Sequence, residues 1–145
     1  MKVITVTRTT SAAPEDIWAL LADVAGRTRW DGALESIEGS FELGARGSVK
    51  LKGQPVRVWE IVECIRPQRY TDRFFLPMGG RMDWVHSIEP TDDGCAVTFD
   101  ISAHGSTAFI LRPIMRAILS RELPPTVDKL VTLAEAQIAE RANQR

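Results

Sequence analysis

The sequence predicts an α+β domain: a curved, seven-stranded antiparallel sheet wrapped around a long C-terminal helix, with two short helices between strands one and two. Three observations carry this prediction. From Leu34 to Ala103 the chain alternates apolar and polar residues in short segments broken by Gly, Pro and Asp clusters. From Ser106 to Arg145 the period changes to that of a helix. Between strand one and the rest, Pro14-Glu15-Asp16 opens a helix, with proline where no hydrogen bond is lost and acids at the positive end of the dipole. A sheet that curls around one helix can enclose a cavity, so this architecture describes a container better than it describes a reaction.

Each element has its own justification. Lys2 to Thr9 is rich in β-branched residues and reads as strand one. Ile17, Leu20, Leu21 and Val24 recur at helical spacing, so the first helix runs from Pro14 to Asp23 or Val24 and stops near Gly26. Arg27 to Trp30 reads as one short helical turn. Strand two is Leu34 to Gly39, strand three Ala45 to Lys52, strand four Val56 to Ile65 and strand five Arg69 to Leu76. Pro77-Met78-Gly79-Gly80 makes a hairpin connection. Strand six is Arg81 to Glu89, and Thr91-Asp92-Asp93-Gly94 turns the chain into strand seven, Cys95 to Ala103. Short connections imply antiparallel neighbours. In the final helix Leu111, Met115, Ile118 and Leu119 share a face, and Val127, Leu130, Val131, Ala134 and Ile138 continue it. A kink or short break is expected at Pro124-Pro125.

Composition excludes several classes. With 145 residues, 44% of them hydrophobic and 26% charged, the chain suits one soluble domain spanning 1–145. A net charge of -1 and a pI near 6.1 argue against a dedicated nucleic-acid binder. Cys64 and Cys95 form no CxxC pair, and only two histidines are present, so no structural zinc site and no other metal site is expected. Two reduced thiols in a cytoplasmic protein are expected, with a Cys64–Cys95 disulfide as the alternative. The N-terminus lacks a signal-peptide pattern, and no apolar run is long enough to span a bilayer.

The order of elements, together with the phrases Ala13-Pro14-Glu15-Asp16-Ile17-Trp18-Ala19-Leu20-Leu21-Ala22-Asp23-Val24, Arg29-Trp30-Asp31, Trp59-Glu60-Ile61-Val62-Glu63 running to Pro67, and Ile88-Glu89-Pro90-Thr91-Asp92-Asp93-Gly94, resembles the START-like (SRPBCC) superfamily and, within it, the polyketide cyclase/dehydrase-like proteins. The resemblance covers nearly the whole chain. It implies a helix-grip fold with a cavity between sheet and terminal helix, and it implies no cofactor. Members include aromatases and cyclases, lipid carriers, coenzyme Q-binding proteins and chaperone activators, so fold analogy does not choose a function. Relatives often have Trp where this chain has Arg27, and Pro where it has Thr28 and Gly32, which implies a more polar cavity mouth. Pro124-Pro125 falls where many relatives continue the helix.

Alternation along the strands proposes the inner wall. The sets are Ala45, Gly47, Val49 and Leu51 in strand three, Trp59 and Ile61 with Arg57 and Glu63 in strand four, and Tyr70, Asp72, Phe74 and Leu76 in strand five. Strand six supplies Met82, Trp84, His86 and Ile88, and strand seven Val97, Phe99, Ile101 and Ala103. The expected ligand-binding residues are Trp30, Trp59, Ile61, Phe74, Met82, Trp84, Phe99, Ile101, Leu111, Met115 and Leu119, around a small hydrophobic or aromatic ligand. The same stripes also describe a solid core. His86 and Asp72 are the candidate catalytic acid–base pair for an aldol-type cyclisation or a dehydration. The plainer reading of His86 is a hydrogen-bonded core or rim histidine without a reaction. His104 is expected in the loop after strand seven. Arg57 and Arg81 read either as anion-binding groups or as solvated edge charges. Arg112, Arg116 and Arg121 suggest a membrane-facing helix or, with fewer assumptions, a solvated polar face. Three functions follow: a carrier of a small ligand, a cofactor-free cyclase, aromatase or dehydratase, and a chaperone-activator-like interaction protein. No stable membrane insertion is expected, and the chain is expected to be a monomer or homodimer.

Overall fold

A computed structural model describes all residues from Met1 to Arg145. The strands are β1 (Lys2–Thr10), β2 (Leu34–Glu38), β3 (Arg46–Leu51), β4 (Arg57–Ile65), β5 (Arg69–Phe75), β6 (Arg81–Thr91) and β7 (Gly94–His104). They form one seven-stranded sheet in the order β1-β7-β6-β5-β4-β3-β2, antiparallel throughout. Helix α1 (Pro14–Ala22) and a 3-10 turn (Arg27–Arg29) connect β1 to β2, and helix α2 (Ser106–Asn143) closes the chain. This is the helix-grip architecture that the sequence predicts.

The β6–β7 hairpin is the longest pairing. Thr91 pairs with Gly94 around a two-residue Asp92-Asp93 turn, which makes both strands longer than alternation alone suggests. Pro90 is tolerated because β5 ends its pairing with β6 at Ser87, so no neighbour requires the missing N–H. Buried and half-buried residues alternate along all of β7. His104 is the last residue of β7 and not part of a loop; its Nε2 lies 3.3 Å from Ser102 Oγ.

A bulge between Ile61 and Glu63 corrects the expected inner set of β4. Ile61 lies opposite Asp72, whereas Glu63 lies opposite Thr71. The extra residue turns Glu63 to the outer face, where it accepts from Thr71 Oγ1 (3.2 Å) and Arg69 Nη2 (3.0 Å). Gly47, opposite Trp59, lets the indole lie on the β3 backbone; a Cβ there would collide with the Glu38 carbonyl and the Trp59 ring.

Helix α2 is continuous through Pro113, Pro124 and Pro125, so the expected break at Pro124-Pro125 does not occur. The two adjacent prolines leave the carbonyls of Ser120 and Arg121 without helical partners. Both residues are exposed, so water satisfies those carbonyls at little cost. Helix α2 is gripped unevenly. Leu119, Leu123, Val127, Leu130, Val131 and Ala134 are buried against the sheet and α1, whereas before Leu119 only Ala108 is buried. Ion pairs secure the gripped half: Arg8 Nε with Asp128 (2.6 Å) and Arg141 Nη2 with Asp16 (2.7 Å). Asp16 also accepts from the Ala13 amide (3.2 Å) at the start of α1. Both cysteines are free thiols.

Truncation tests this asymmetry. Leu130→Ala should cost about 2–5 kcal/mol in denaturant unfolding. Ile110→Ala, on the ungripped half, should cost less than about 0.5 kcal/mol. Equal losses would contradict the uneven grip.

Candidate functional site: a cavity under the first half of the terminal helix

The sheet's inner face is wider than α2 covers, and the surplus forms a cavity of about 420 Å³. Its walls come from the turn after α1, from β2 to β7, and from α2 between Leu111 and Thr126. Of the expected ligand-binding residues, Trp30, Phe74, Met82, Trp84, Phe99, Leu111, Met115 and Leu119 line it. Trp59, Ile61 and Ile101 do not. Ile101 is fully buried in the main core. Trp59 and Ile61 face inward but pack with Val24, Leu34 and Val49 in a second cluster, and Trp59 Nε1 donates to the Ser48 carbonyl (3.2 Å). Alternation assigns a face but does not say which inward residue meets the space and which meets another side chain.

Antiparallel register puts Tyr70 opposite His86, Asp72 opposite Trp84, and His86 opposite Phe99. Directly opposed residues share a face, so all five point inward. The Tyr70 and His86 rings stack at 4.1 Å with 5° between their planes, and His86 meets Phe99 edge-on at 4.4 Å. Trp30 meets Phe99 edge-on at 6.4 Å. Packed rings fix the aromatic wall.

Arg27 is the residue that sequence reasoning misplaced. Expected at a polar mouth, it is only 6% exposed. Its Nη1 donates to Asp72 Oδ2 (3.3 Å), its Nη2 to Tyr70 Oη (3.2 Å), and its Nε and Nη2 to the Leu21 carbonyl (3.4 and 3.2 Å). The guanidinium also lies 5.7 Å from the Tyr70 ring centre and 5.9 Å from that of Trp59. Burial opposes its charge, but Tyr70 and Asp72 favour it more, and its pKa is raised. Burial raises the Asp72 pKa, with Arg27 pulling the other way. The Tyr70 phenol is raised by burial and is neutral. The only available signal for this cluster was Tyr70 and Asp72 on one strand face; arginine composition alone points outward.

The cluster alters the reading of His86 and Asp72. Both border the cavity, but Asp72 is ion-paired to Arg27 and makes no hydrogen bond to His86. Burial, with the Arg27 charge second, lowers the His86 pKa to about 3. The imidazole is therefore neutral at physiological pH. Four buried polar atoms lack a protein hydrogen-bond partner: Trp30 Nε1, Asp72 Oδ1, Trp84 Nε1 and His86 Nδ1. All four belong to residues lining the cavity. Such atoms are rare in folded proteins, and here all four sit, themselves almost fully covered, on residues that line one mainly apolar cavity.

Of the two edge arginines, Arg57 lines the cavity and Arg81 is exposed away from it. A polar depression of about 310 Å³ adjoins the cavity, sharing Leu51, Gln54, Glu122 and Thr126 with it, and adds Lys52 and Lys129. Asp31, on the cavity wall near this polar end, has its pKa raised by burial and lowered in part by the Ala33 amide it accepts from (3.1 Å).

A curved sheet gripping one helix around a lined cavity defines the START-like, helix-grip class of fold. Residues 1–135 match the family described as polyketide cyclase/dehydrase and lipid transport, and the chain belongs to that family. No curated protein matches the chain. Solved structures share the fold at low identity. Protein MLL2253 from Mesorhizobium loti is 17% identical with a TM-score of 0.77, over 92% of this chain and 96% of that one. The di-domain ARO/CYC StfQ from the steffimycin biosynthetic pathway is 14% identical with a TM-score of 0.74, over 96% of this chain and 52% of StfQ. Ara h 8.0201 is 13% identical with a TM-score of 0.72, over 92% of this chain and 97% of that one. No helix is long and apolar enough to cross a membrane.

Two measurements test the buried cluster. Arg27→Met leaves Asp72 buried without its cation and should cost about 3–5 kcal/mol at neutral pH. The loss should shrink as pH falls and Asp72 takes up a proton, and Arg27→Met/Asp72→Asn should recover part of it. His86 has a folded pKa below its unfolded one, so its contribution is present above about pH 6.5 and declines as pH falls towards about 3. Between pH 6.5 and 5, before ordinary carboxylates titrate, this gives a slope of up to about 1.4 kcal/mol per pH unit. His86→Gln should abolish that slope in denaturant titrations.

Proposed function

We propose that the protein binds a small, mainly apolar ligand in the cavity, with Asp72, His86, Trp30 and Trp84 supplying polar contacts to it, and that it holds the ligand without transforming it. The observation that carries this reading is the set of four unpartnered buried polar atoms around an apolar space. Indole N–H groups donate to a carbonyl or ether oxygen. Asp72 Oδ1 accepts from a hydroxyl, and neutral His86 accepts or donates according to its tautomer. A neutral aromatic or polycyclic ligand bearing hydroxyl and carbonyl groups meets these demands. Family membership supports a small hydrophobic ligand in general.

A cofactor-free cyclase or dehydratase is the second reading, supported by the family description and by the fold shared with the ARO/CYC StfQ. It assigns His86 and Asp72 as base and acid. Two observations weigh against that pair: Asp72 is already held by Arg27, and an imidazole whose pKa is lowered to about 3 is a weak base. The interaction-protein reading needs no cavity, and a well-formed one makes it the least economical of the three.

Titration with 2-naphthol and naphthalene, followed by isothermal titration calorimetry, tests the proposal. The hydroxylated probe should bind more tightly. Asp72→Asn should narrow the difference between the two probes by about two- to twelvefold, the span of one net hydrogen bond, and leave naphthalene binding nearly unchanged. Equal affinity for both probes, or no saturable binding of either, would defeat the proposal. Turnover of a polyketide-like substrate that His86→Ala removes while binding persists would establish the enzyme reading instead.

A further inference from the structure

The ungripped half of α2 is unusual for a water-facing surface. Phe109, Ile110 and Ile114 are 71%, 70% and 57% exposed. Ile110, Ile114 and Ile118 follow one another at i, i+4 and i+8, with Phe109, Pro113 and Ala117 beside them, all exposed. They form a continuous apolar stripe, in contrast to singly scattered exposed residues. Met78, 84% exposed, extends the patch from the β5–β6 connection, which Thr107 ties to α2 by donating to the Pro77 carbonyl (2.9 Å). Met78 has φ 58°, a left-handed conformation uncommon for a side chain of this size, and its thioether points away from the core.

The charge along this stretch is mainly positive. From Ser106 to Arg121 the charged residues are Arg112, Arg116 and Arg121, and the first acid, Glu122, follows directly at the cavity wall. None of the three belongs to an ion pair; Arg112 Nε donates to the Lys2 carbonyl (2.8 Å). An apolar stripe with the exposed Arg116 at its edge and Arg121 at its end matches a surface with hydrocarbon beneath and anionic phosphates above, whereas Arg112, half-buried and bonded to Lys2, lies on the other side of the helix. A second copy of the chain fits less well, because twofold pairing on this short segment would bring arginines towards arginines.

We propose that Ser106–Arg121 of α2, with the Met78 tip, docks on anionic bilayers as a peripheral surface. Ile114 and Ile118 belong both to the exposed stripe and to the cavity lining, so the docked face is continuous with the cavity. An apolar ligand can then pass between bilayer and cavity without crossing water. Docking does not depend on which ligand the cavity holds.

Vesicle co-sedimentation tests it. The protein should pellet with vesicles of phosphatidylcholine and phosphatidylglycerol, more weakly as salt rises, and not with phosphatidylcholine alone. Arg116→Gln and Arg121→Gln should each weaken binding about fivefold. Phe109→Ser/Ile110→Ser should weaken it more than tenfold. These four residues lie outside the cavity lining, so thermal unfolding and 2-naphthol binding should stay at wild-type levels, which separates this test from that of the ligand reading. Indifference to anionic lipid at low salt would overturn the proposal. So would a concentration-dependent dimer in sedimentation velocity that the serine variant abolishes in the absence of vesicle binding.

Discussion

One helix cannot cover the inner face of seven strands, and that mismatch shapes the whole molecule. The second half of α2 satisfies the hydrophobic demand by packing on the sheet and on α1. The first half touches the core only sparsely, through the buried Ala108 and the half-buried Met115. Dense packing is the rule in protein interiors, so a space of about 420 Å³ survives only where rigid elements hold the walls apart. Here the β6–β7 hairpin and the packed rings of Tyr70, His86 and Phe99 do this.

The buried ion pair belongs to the same problem. Arg27 and Asp72 lie where a smaller apolar pair could fill the volume, and buried ion pairs are often no more stabilising than hydrophobic replacements. What this pair does is tether. Arg27 comes from a 3-10 turn with little packing of its own, and its bonds to Leu21, Tyr70 and Asp72 fasten that turn to α1 and β5 at once. Trp30 and Asp31 follow directly in sequence, so the tether sets where this part of the cavity wall stands.

Much of this was legible in the chain itself, and the failures have physical causes. β-branched richness in strand one, period-two patterning and the Gly, Pro and Asp breakers between segments together identified all seven strands, because half-buried strands alternate and turns need those residues. It could not foresee the β4 bulge, since one extra residue leaves the pattern on either side intact while reversing Glu63. Nor could it separate Trp84, which meets the space, from Trp59, which meets Val24 and Val49. Arg27 was misread because burial of an arginine depends on partners from distant segments, which only the fold assembles. The exposed Phe109 and Ile110 were hidden for the opposite reason. An apolar residue in a helix looks like core until the opposing surface is shown to be missing.

The three prolines of α2 make its elasticity uneven. Each removes an amide donor, so the helix lacks a rung after Phe109, Ser120 and Arg121. Two of these gaps coincide with the passage from the anchored part of the rod to the cantilevered part. Bending there ruptures fewer bonds than anywhere else along α2. The helix therefore behaves as two stiff levers with a compliant joint between them, and the joint lies at the edge of the hollow that the free lever covers.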